Sequence, residues 1–316
     1  MLEIRTNRTV EEVATIYNKP LILLLREAAN IHQETFPEAE MKINTLISVK
    51  TGRCTEDCAY CAQSSKYKTD IEPHKLLDKE EVIGLAIKAK ENGATRVCLS
   101  ASWREVKEDK DFEKILEMTQ EIKNLGLNVC CTLGIVKDKE IIKKLKDKGI
   151  SAFNHNVDTS EDFYKNIITS HKYSERLETI NNLIDGGLDH CCGGIVGLGE
   201  SNEDRIKMLH TISSFKKHPY SVPLNILVPI KGTPLENNKI IDVWEMVRMI
   251  ATARILMPKS IICLAAGRLE LNDEAQTLCF VAGANSIFFG EKLLTTKNNS
   301  IDKDKELLNK LGFTMV

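Results

Sequence analysis

Eight times along this chain a short apolar stretch is followed by a turn and then by an amphipathic segment, and this rhythm restricts the fold more than any other feature. The apolar stretches are Thr45–Val49, Arg96–Ala101, Leu127–Leu133, Ala152–Val157, Leu188–Val196, Val222–Val228, Ile261–Ala265 and Ser286–Phe289. Each has strand length, and helical candidates lie between them. Ile115, Met118, Ile122 and Leu125 fall on one helical face, and Gly126 follows as a cap. Leu177, Ile180 and Ile184 repeat the pattern before Gly186 and Gly187, and Asp138 is placed to cap a segment that ends at Gly149. Strand and helix alternating in this way predict an α/β fold, a parallel (β/α)8 barrel of the TIM type. An open doubly wound sheet is the alternative. Its dinucleotide fingerprint is absent, because Gly193, Gly194, Gly197 and Gly199 are not spaced G-x-G-x-x-G. The expected layout is an N-terminal helical extension over 1–44, the barrel over 45–290 and a C-terminal tail over 291–316. That tail is polar, and mobile around Lys297–Lys305.

A chain of 316 residues, 42% of them hydrophobic, can bury the core such a barrel needs. Its net charge is -2, from 43 Lys and Arg against 45 Asp and Glu, which gives no reason to expect a nucleic acid as partner. The charge run Lys143–Lys148 reads as the solvated face of a helix. The start of the chain lacks the layout of a signal peptide. The apolar run Leu21–Leu25 stops at Arg26 and Glu27, far short of a membrane span. A cytoplasmic protein with no membrane partner is expected. In a reducing compartment, ten cysteines are better read as metal ligands than as disulfides.

Three of those cysteines stand in Cys54-Thr55-Glu56-Asp57-Cys58-Ala59-Tyr60-Cys61, directly after the first predicted strand. That position is a loop at the C-terminal mouth of a barrel, where active sites of this architecture sit. Structural zinc takes four ligands; this loop has three thiols, and the nearest histidine, His74, is separated by a polar stretch. Three thiolates on a cubane cluster leave one iron open to bind a substrate. The C-x3-C-x2-C spacing, with Tyr60 before the last cysteine, resembles the signature of the radical S-adenosylmethionine superfamily. The resemblance implies a 4Fe–4S cluster whose open iron chelates the methionine part of S-adenosylmethionine, and a 5′-deoxyadenosyl radical that abstracts hydrogen from an unactivated carbon.

The rest of the chain resembles the biotin synthase family of these enzymes. The similarity lies in Ser48–Tyr67, Asn154–Thr159, Gly193–Glu200, Ser221–Pro234 and Ala282–Ile287, and covers nearly the whole sequence. It implies sulfur insertion into dethiobiotin to give biotin. A ureido ring offers one acceptor and two donors, and asparagine amides complement both. Asn154 and Asn156 alternate along a predicted strand and so point to one side, while Asn225 lies on a later strand. By resemblance these three asparagines contact dethiobiotin, and Asn156 and Asp158 also lie near the nucleoside of S-adenosylmethionine. Buried asparagines in a barrel can also serve only to satisfy backbone groups. Tyr60, Gly193 and Gly194 join the cofactor-binding set. For the two glycines the readings are close backbone approach to the methionine moiety or a tight strand exit.

Of the remaining cysteines, Cys98, Cys130, Cys131, Cys191, Cys192 and Cys263 fall on predicted strands, and Cys279 falls in a helix as a core thiol. The resemblance implies that three strand cysteines and an arginine hold an auxiliary 2Fe–2S cluster, the sulfur donor, and it assigns Cys98, Cys130 and Cys191. Adjacent strand residues face opposite ways, so only one of each pair reaches the barrel axis, with Cys131 and Cys192 as the alternates. The sequence departs from the family at 263, where Cys263 replaces the arginine. An all-thiolate auxiliary cluster is the expectation, with a four-iron type preferred to 2Fe–2S, although four thiolates are compatible with either. A homodimer and a flavodoxin or ferredoxin electron donor are further implied. The other readings are another barrel-type radical enzyme, of hydrogenase-maturase or methylornithine-synthase type, or a non-catalytic iron–sulfur electron-transfer protein.

Overall fold

The computed structural model describes residues 4–316. Two helices come first, α1 (Val10–Tyr17) and α2 (Leu21–Thr35). Thr9 starts α1 with a reciprocal cap: its hydroxyl accepts from the Glu12 N–H at 3.3 Å, and the Glu12 carboxylate accepts from the Thr9 N–H at 2.8 Å. Strand β1 (Glu40–Lys50) then begins inside the stretch expected to be the helical extension. Its first residues are drawn into strand by partners that local sequence does not reveal, as described below.

The later strands are β2 (Arg96–Ala101), β3 (Asn128–Thr132), β4 (Ile150–Asn154), β5 (Asp189–Cys191), β6 (Gly194–Val196), β7 (Ser221–Ile226), β8 (Ile261–Leu264) and β9 (Ser286–Phe289). Between them run α3 (Lys79–Glu91), α4 (Lys110–Asn124), α5 (Lys139–Asp147), α6 (Glu161–Tyr164), α7 (Tyr173–Asp185), α8 (Asn202–Ser213), α9 (Val243–Leu256) and α10 (Asp273–Val281). The strands pair in parallel in the order β1-β2-β3-β4-β5-β7-β8-β9, and β9 returns to β1, which closes the barrel. The chain is therefore the expected parallel (β/α)8 barrel. The single strand expected over Leu188–Val196 is broken at Cys192 and Gly193, with β6 pairing on β7. A Cβ at Gly193 would lie 1.9 Å from the Pro223 carbonyl oxygen, so only glycine lets the two backbones come this close.

The pleat sorts side chains between two environments. On β2, Val97 and Leu99 point outward into the helix layer and are fully buried there, each worth about 1.5–3 kcal/mol of apolar burial. Arg96, Cys98 and Ser100 point inward. On β3, Val129 and Cys131 face the helices, while Asn128, Cys130 and Thr132 face the axis. The axis is thus polar and thiol-rich. It encloses a cavity of about 470 Å³ that reaches the C-terminal ends of the strands.

The polar tail, expected to be mobile around Lys297–Lys305, is ordered into structure. A hairpin of β10 (Lys292–Leu293) and β11 (Thr296–Lys297) lies over the cavity, and α11 (Ile301–Lys310) follows. β12 (Thr314–Met315) pairs with Glu40 and Met41 and so extends β1. Asp304 of α11 is fully buried against Arg268, at 2.6 and 2.8 Å. Composition predicted disorder because it registers the surface of α11 and not this internal ion pair.

Candidate active site

The loop Cys54–Cys61 leaves β1 at the cavity mouth and is fastened on two sides. Within the loop, the Cys54 N–H donates to the Gln63 carbonyl at 2.9 Å and the Ser65 N–H to the Cys54 carbonyl at 2.7 Å. Across the fold, Asp57 accepts from the Thr169 and Ser170 N–H groups at 2.9 and 3.0 Å, and from the Thr169 hydroxyl. Burial alone would push the Asp57 carboxyl up, but these donors outweigh it and hold the group well below the usual range. Glu56 beside it accepts from the Ser170 hydroxyl and His171 Nδ1, with Arg104 Nε at 3.3 Å. Cys54, Cys58 and Cys61 all line the cavity. Burial pushes each thiol up, Cys61 to about 11.

From this staple a chain of hydrogen bonds runs to the mouth of the barrel. His171 Nε2 meets the Tyr164 hydroxyl at 2.8 Å, and Arg176 Nε donates to that hydroxyl at 2.6 Å. Arg176 also pairs with Asp158 at 2.8 Å, and the Tyr60 hydroxyl donates to the same carboxylate oxygen at 2.7 Å. Asp158 sits at φ 66°, a left-handed backbone that asparagine and aspartate tolerate better than other side chains. Such conformations persist where the surroundings over-determine them, and two side chains and a backbone bridge to Gly194 do so here.

The asparagines are deployed differently from one another. The strand carrying Asn154 ends at that residue, so Asn156 lies on the exit loop and not further along the strand as expected. Both still line the cavity, as does Asn225 on β7. The Asn156 side-chain oxygen accepts from the Gly193 N–H at 3.0 Å. Asn225 spends both ends of its amide on backbone, donating to the Gly194 carbonyl and accepting from the Ala266 N–H, each at 3.1 Å. Asn154 donates to Thr132 Oγ1 at 3.2 Å, and its own oxygen is buried without a partner. At Gly194 the close neighbour is protein, since a Cβ would stand 2.6 Å from the Asp158 carbonyl oxygen.

Deeper in the barrel the pleat decides the cysteine pairs. Cys98 and Cys130 are register partners on β2 and β3. With Cys191 they form a small buried cluster, closed by Ala152, Tyr220 and Phe288. Cys131, Cys192 and Cys279 point into the helix layer and away from the cavity. Hydrogen bonding from the neighbouring Cys191 and Cys98 thiols, with nearby Arg96, holds the Cys130 thiol well below the ordinary range. Hydrogen bonding to Cys130, and then burial, push Cys98 and Cys191 up. Cys263 faces the same cavity, but its partner is Ser286; burial raises its thiol to about 12.

Two arginines escaped sequence reasoning. Arg176 stands on the buried face of α7, among Tyr173, Thr179, Ile180 and Leu183. A cation on an otherwise apolar helical stripe was the available signal. Arg96 stacks on Tyr220 at 4.5 Å and donates to Ser151 Oγ at 3.2 Å, which aims its charge at the three clustered thiols. It shares the inward parity of Cys98, two residues on.

The donor sets fit iron–sulfur clusters. Seven thiols face one cavity in two groups, and iron in such clusters takes thiolate ligands. Among the described residues no three His, Cys, Asp or Glu side chains converge on one bare ion. Cluster thiolates bind separate irons, so convergence on one point is not required of them. Among the same residues no helix is long and apolar enough to cross a membrane.

Comparison with known proteins matches residues 48–212 to the radical SAM superfamily and residues 223–314 to the Biotin and Thiamin Synthesis associated domain. The chain is 50% identical to a biotin synthase of Cytophaga hutchinsonii over 99% of its own length and 92% of that protein. It is 48% identical to a mitochondrial biotin synthase of Arabidopsis thaliana over 98% of its length and 82% of that protein. Among solved structures it resembles a methylornithine synthase, with a TM-score of 0.80 at 21% identity, over 98% of this chain and 94% of that one. It also resembles an FeFe-hydrogenase maturase from Carboxydothermus hydrogenoformans, with a TM-score of 0.82 at 17% identity, over 98% and 76%. At such identities the two structures speak for the fold alone.

Proposed function

The chain belongs to the biotin synthase family of radical S-adenosylmethionine enzymes, and on that premise we propose that it inserts sulfur into dethiobiotin to form biotin. The observation that carries the reading is one cavity faced by both thiol groups, with the unpaired Asn154 oxygen among its lining. When bound, a 4Fe–4S cluster with S-adenosylmethionine supplies a 5′-deoxyadenosyl radical, and an auxiliary iron–sulfur cluster supplies sulfur.

The protein's own part is holding and orienting. Cys54, Cys58 and Cys61 hold the first cluster on a loop that Asp57 and Glu56 fasten to Thr169–His171. Asp158 accepts from ribose hydroxyls, with Tyr60 and Arg176 fixing its carboxylate. Asn156 lies beside it, and Gly193 and Gly194 let that segment pack without side chains in the way. Asn154 accepts a ureido N–H, because a buried acceptor without a partner gains a full hydrogen bond when the substrate enters. Asn225 lines the same wall, supporting Gly194 and Ala266.

Cys98, Cys130, Cys191 and Cys263 hold the auxiliary cluster, which four thiols facing the cavity would make all-thiolate; four thiolates suit two irons or four, and the four-iron type is the one proposed. A cytoplasmic homodimer, reduced by a flavodoxin or a ferredoxin, completes the proposal and rests on the resemblance set out above.

Anaerobic incubation with dithionite, S-adenosylmethionine and dethiobiotin tests the reading. The expected products are biotin and 5′-deoxyadenosine, about two of the nucleoside per biotin, one for each carbon–sulfur bond. Nucleoside without biotin would point to another radical reaction, and no nucleoside would point to an electron-transfer protein.

A further inference from the structure

An electron must reach the cluster loop from outside, and one part of the surface is shaped for its delivery. Cys54 faces the inner cavity, whereas its neighbours Arg53 and Thr55 are exposed and line a second, outer cleft of about 290 Å³. Ser102, Trp103 and Arg104 line both. The outer cleft and the cavity that Cys54 faces thus share part of their walls. Cys54 is also less buried than Cys58.

The cleft is cationic in a chain whose net charge is -2. Lys50, Arg53, Arg104 and Lys107 line it, against Glu105 and Asp109. Both acids are committed. Glu105 pairs with Lys107 at 3.5 Å and Lys137 at 3.7 Å, and Asp109 caps α4 by accepting from the Asp111 and Phe112 N–H groups. Lys50 donates to the Gly52 and Ser102 carbonyls and the Ser102 hydroxyl, with no carboxylate in ion-pair reach among the described residues. Arg53 has no hydrogen bond or ion pair among them, and its backbone is left-handed at φ 56°.

Resting on the function proposed above, we propose that this cleft is the docking surface for a small, acidic one-electron carrier protein. Its carboxylates meet Arg53 and Lys107, and Trp103 forms the floor between carrier and cluster. At each encounter the carrier is oxidised by one electron and the cluster reduced by one. No bond forms or breaks at the surface. Opposite charge steers such encounters, and salt weakens the steering.

The test follows 5′-deoxyadenosine formation by the fully loaded enzyme, driven either by a reduced flavodoxin or by dithionite alone. The variants are Arg53→Glu, Lys107→Glu and the double variant. Lys148→Glu is the control, since Lys148 ends α5 at the opposite end of the barrel. The double variant is expected to raise the KM for flavodoxin roughly tenfold at low salt, leave kcat near its original value and lose most of the salt dependence. The dithionite-driven rate should stay within about twofold, because a small reductant needs no docking surface. An unchanged KM in the double variant, or an equal rise in Lys148→Glu, overturns the proposal. So does loss of the dithionite-driven rate in the double variant, which would place these residues in the cluster site itself. If dithionite yields no nucleoside even with the unaltered protein, the radical reading fails and not the docking surface.

Discussion

The two groups of thiols that face the cavity are built in opposite ways. Cys54, Cys58 and Cys61 lie within eight residues on one loop, and hydrogen bonds to a distant segment, Thr169–His171, hold that loop in place. Cys98, Cys130, Cys191 and Cys263 are spread over 166 residues. They face one cavity because the pleat of four parallel strands turns each of them inward, with Cys98 and Cys130 as register partners. The first group is a local motif with tertiary support; the second is tertiary structure throughout. Damage to the loop should therefore be confined to it, whereas damage to the framework should reach the strand set first.

The largest effect is expected at the loop. Cys58→Ala should abolish S-adenosylmethionine cleavage while leaving the strand thiols in place, because no spare ligand stands nearby. Measurable 5′-deoxyadenosine from the reduced, reconstituted variant would break the assignment.

Asp304→Ala attacks the framework instead. It leaves the guanidinium of Arg268 buried and uncompensated, next to the exit of β8, the strand that carries Cys263. A loss of about 3–5 kcal/mol in unfolding free energy is expected. Denaturation of the unloaded protein measures it, and a loss under 1 kcal/mol would show that the pair contributes little to the barrel.

Substrate binding separates two asparagines on the same wall. Asn154→Ala should weaken dethiobiotin binding by about 1–3 kcal/mol, since its free oxygen is the one available to a ureido N–H. Asn225→Ala should instead lower stability, because it strands the Gly194 carbonyl and the Ala266 N–H. Calorimetry and thermal melts on both variants would sharpen the distinction, and the reverse pattern would exchange the two roles.

A baseline remote from both groups comes from pH. Burial, then Arg254, lowers His32 to about 4. Below pH 6.5 the unfolded chain takes up a proton there that the folded chain refuses. Stability should fall as pH drops from about 6.5 to about 4, by about 1.4 kcal/mol per unit. His32→Gln should flatten that slope; an unchanged slope would assign it to other groups.

The same contrast explains what could be read from sequence. The barrel was legible because periodicity is local: β2 and β9 span the residues that the apolar pattern marked. The loop thiols were legible because their spacing is fixed by one turn of chain. The strand thiols were legible as candidates only, and a two-residue parity then set Cys130 apart from Cys131 and Cys191 from Cys192. Arg176, Glu56 and His171 were missed because their charged partners lie between 18 and 115 residues away. The order of the tail was missed because one buried ion pair outweighs a polar composition.

Iron counting and Mössbauer spectroscopy on anaerobically purified protein test most directly whether two separately built groups of thiols hold two separate clusters. The unaltered chain should carry roughly eight irons in two four-iron signals, of which only one responds to S-adenosylmethionine. The Cys54→Ala, Cys58→Ala, Cys61→Ala triple variant should lose that signal alone, and Cys263→Ala should disturb only the other. Loss of all iron in the triple variant, or a single undivided signal in the unaltered protein, would contradict the separation; roughly six irons with a 2Fe–2S spectrum would contradict the four-iron auxiliary cluster.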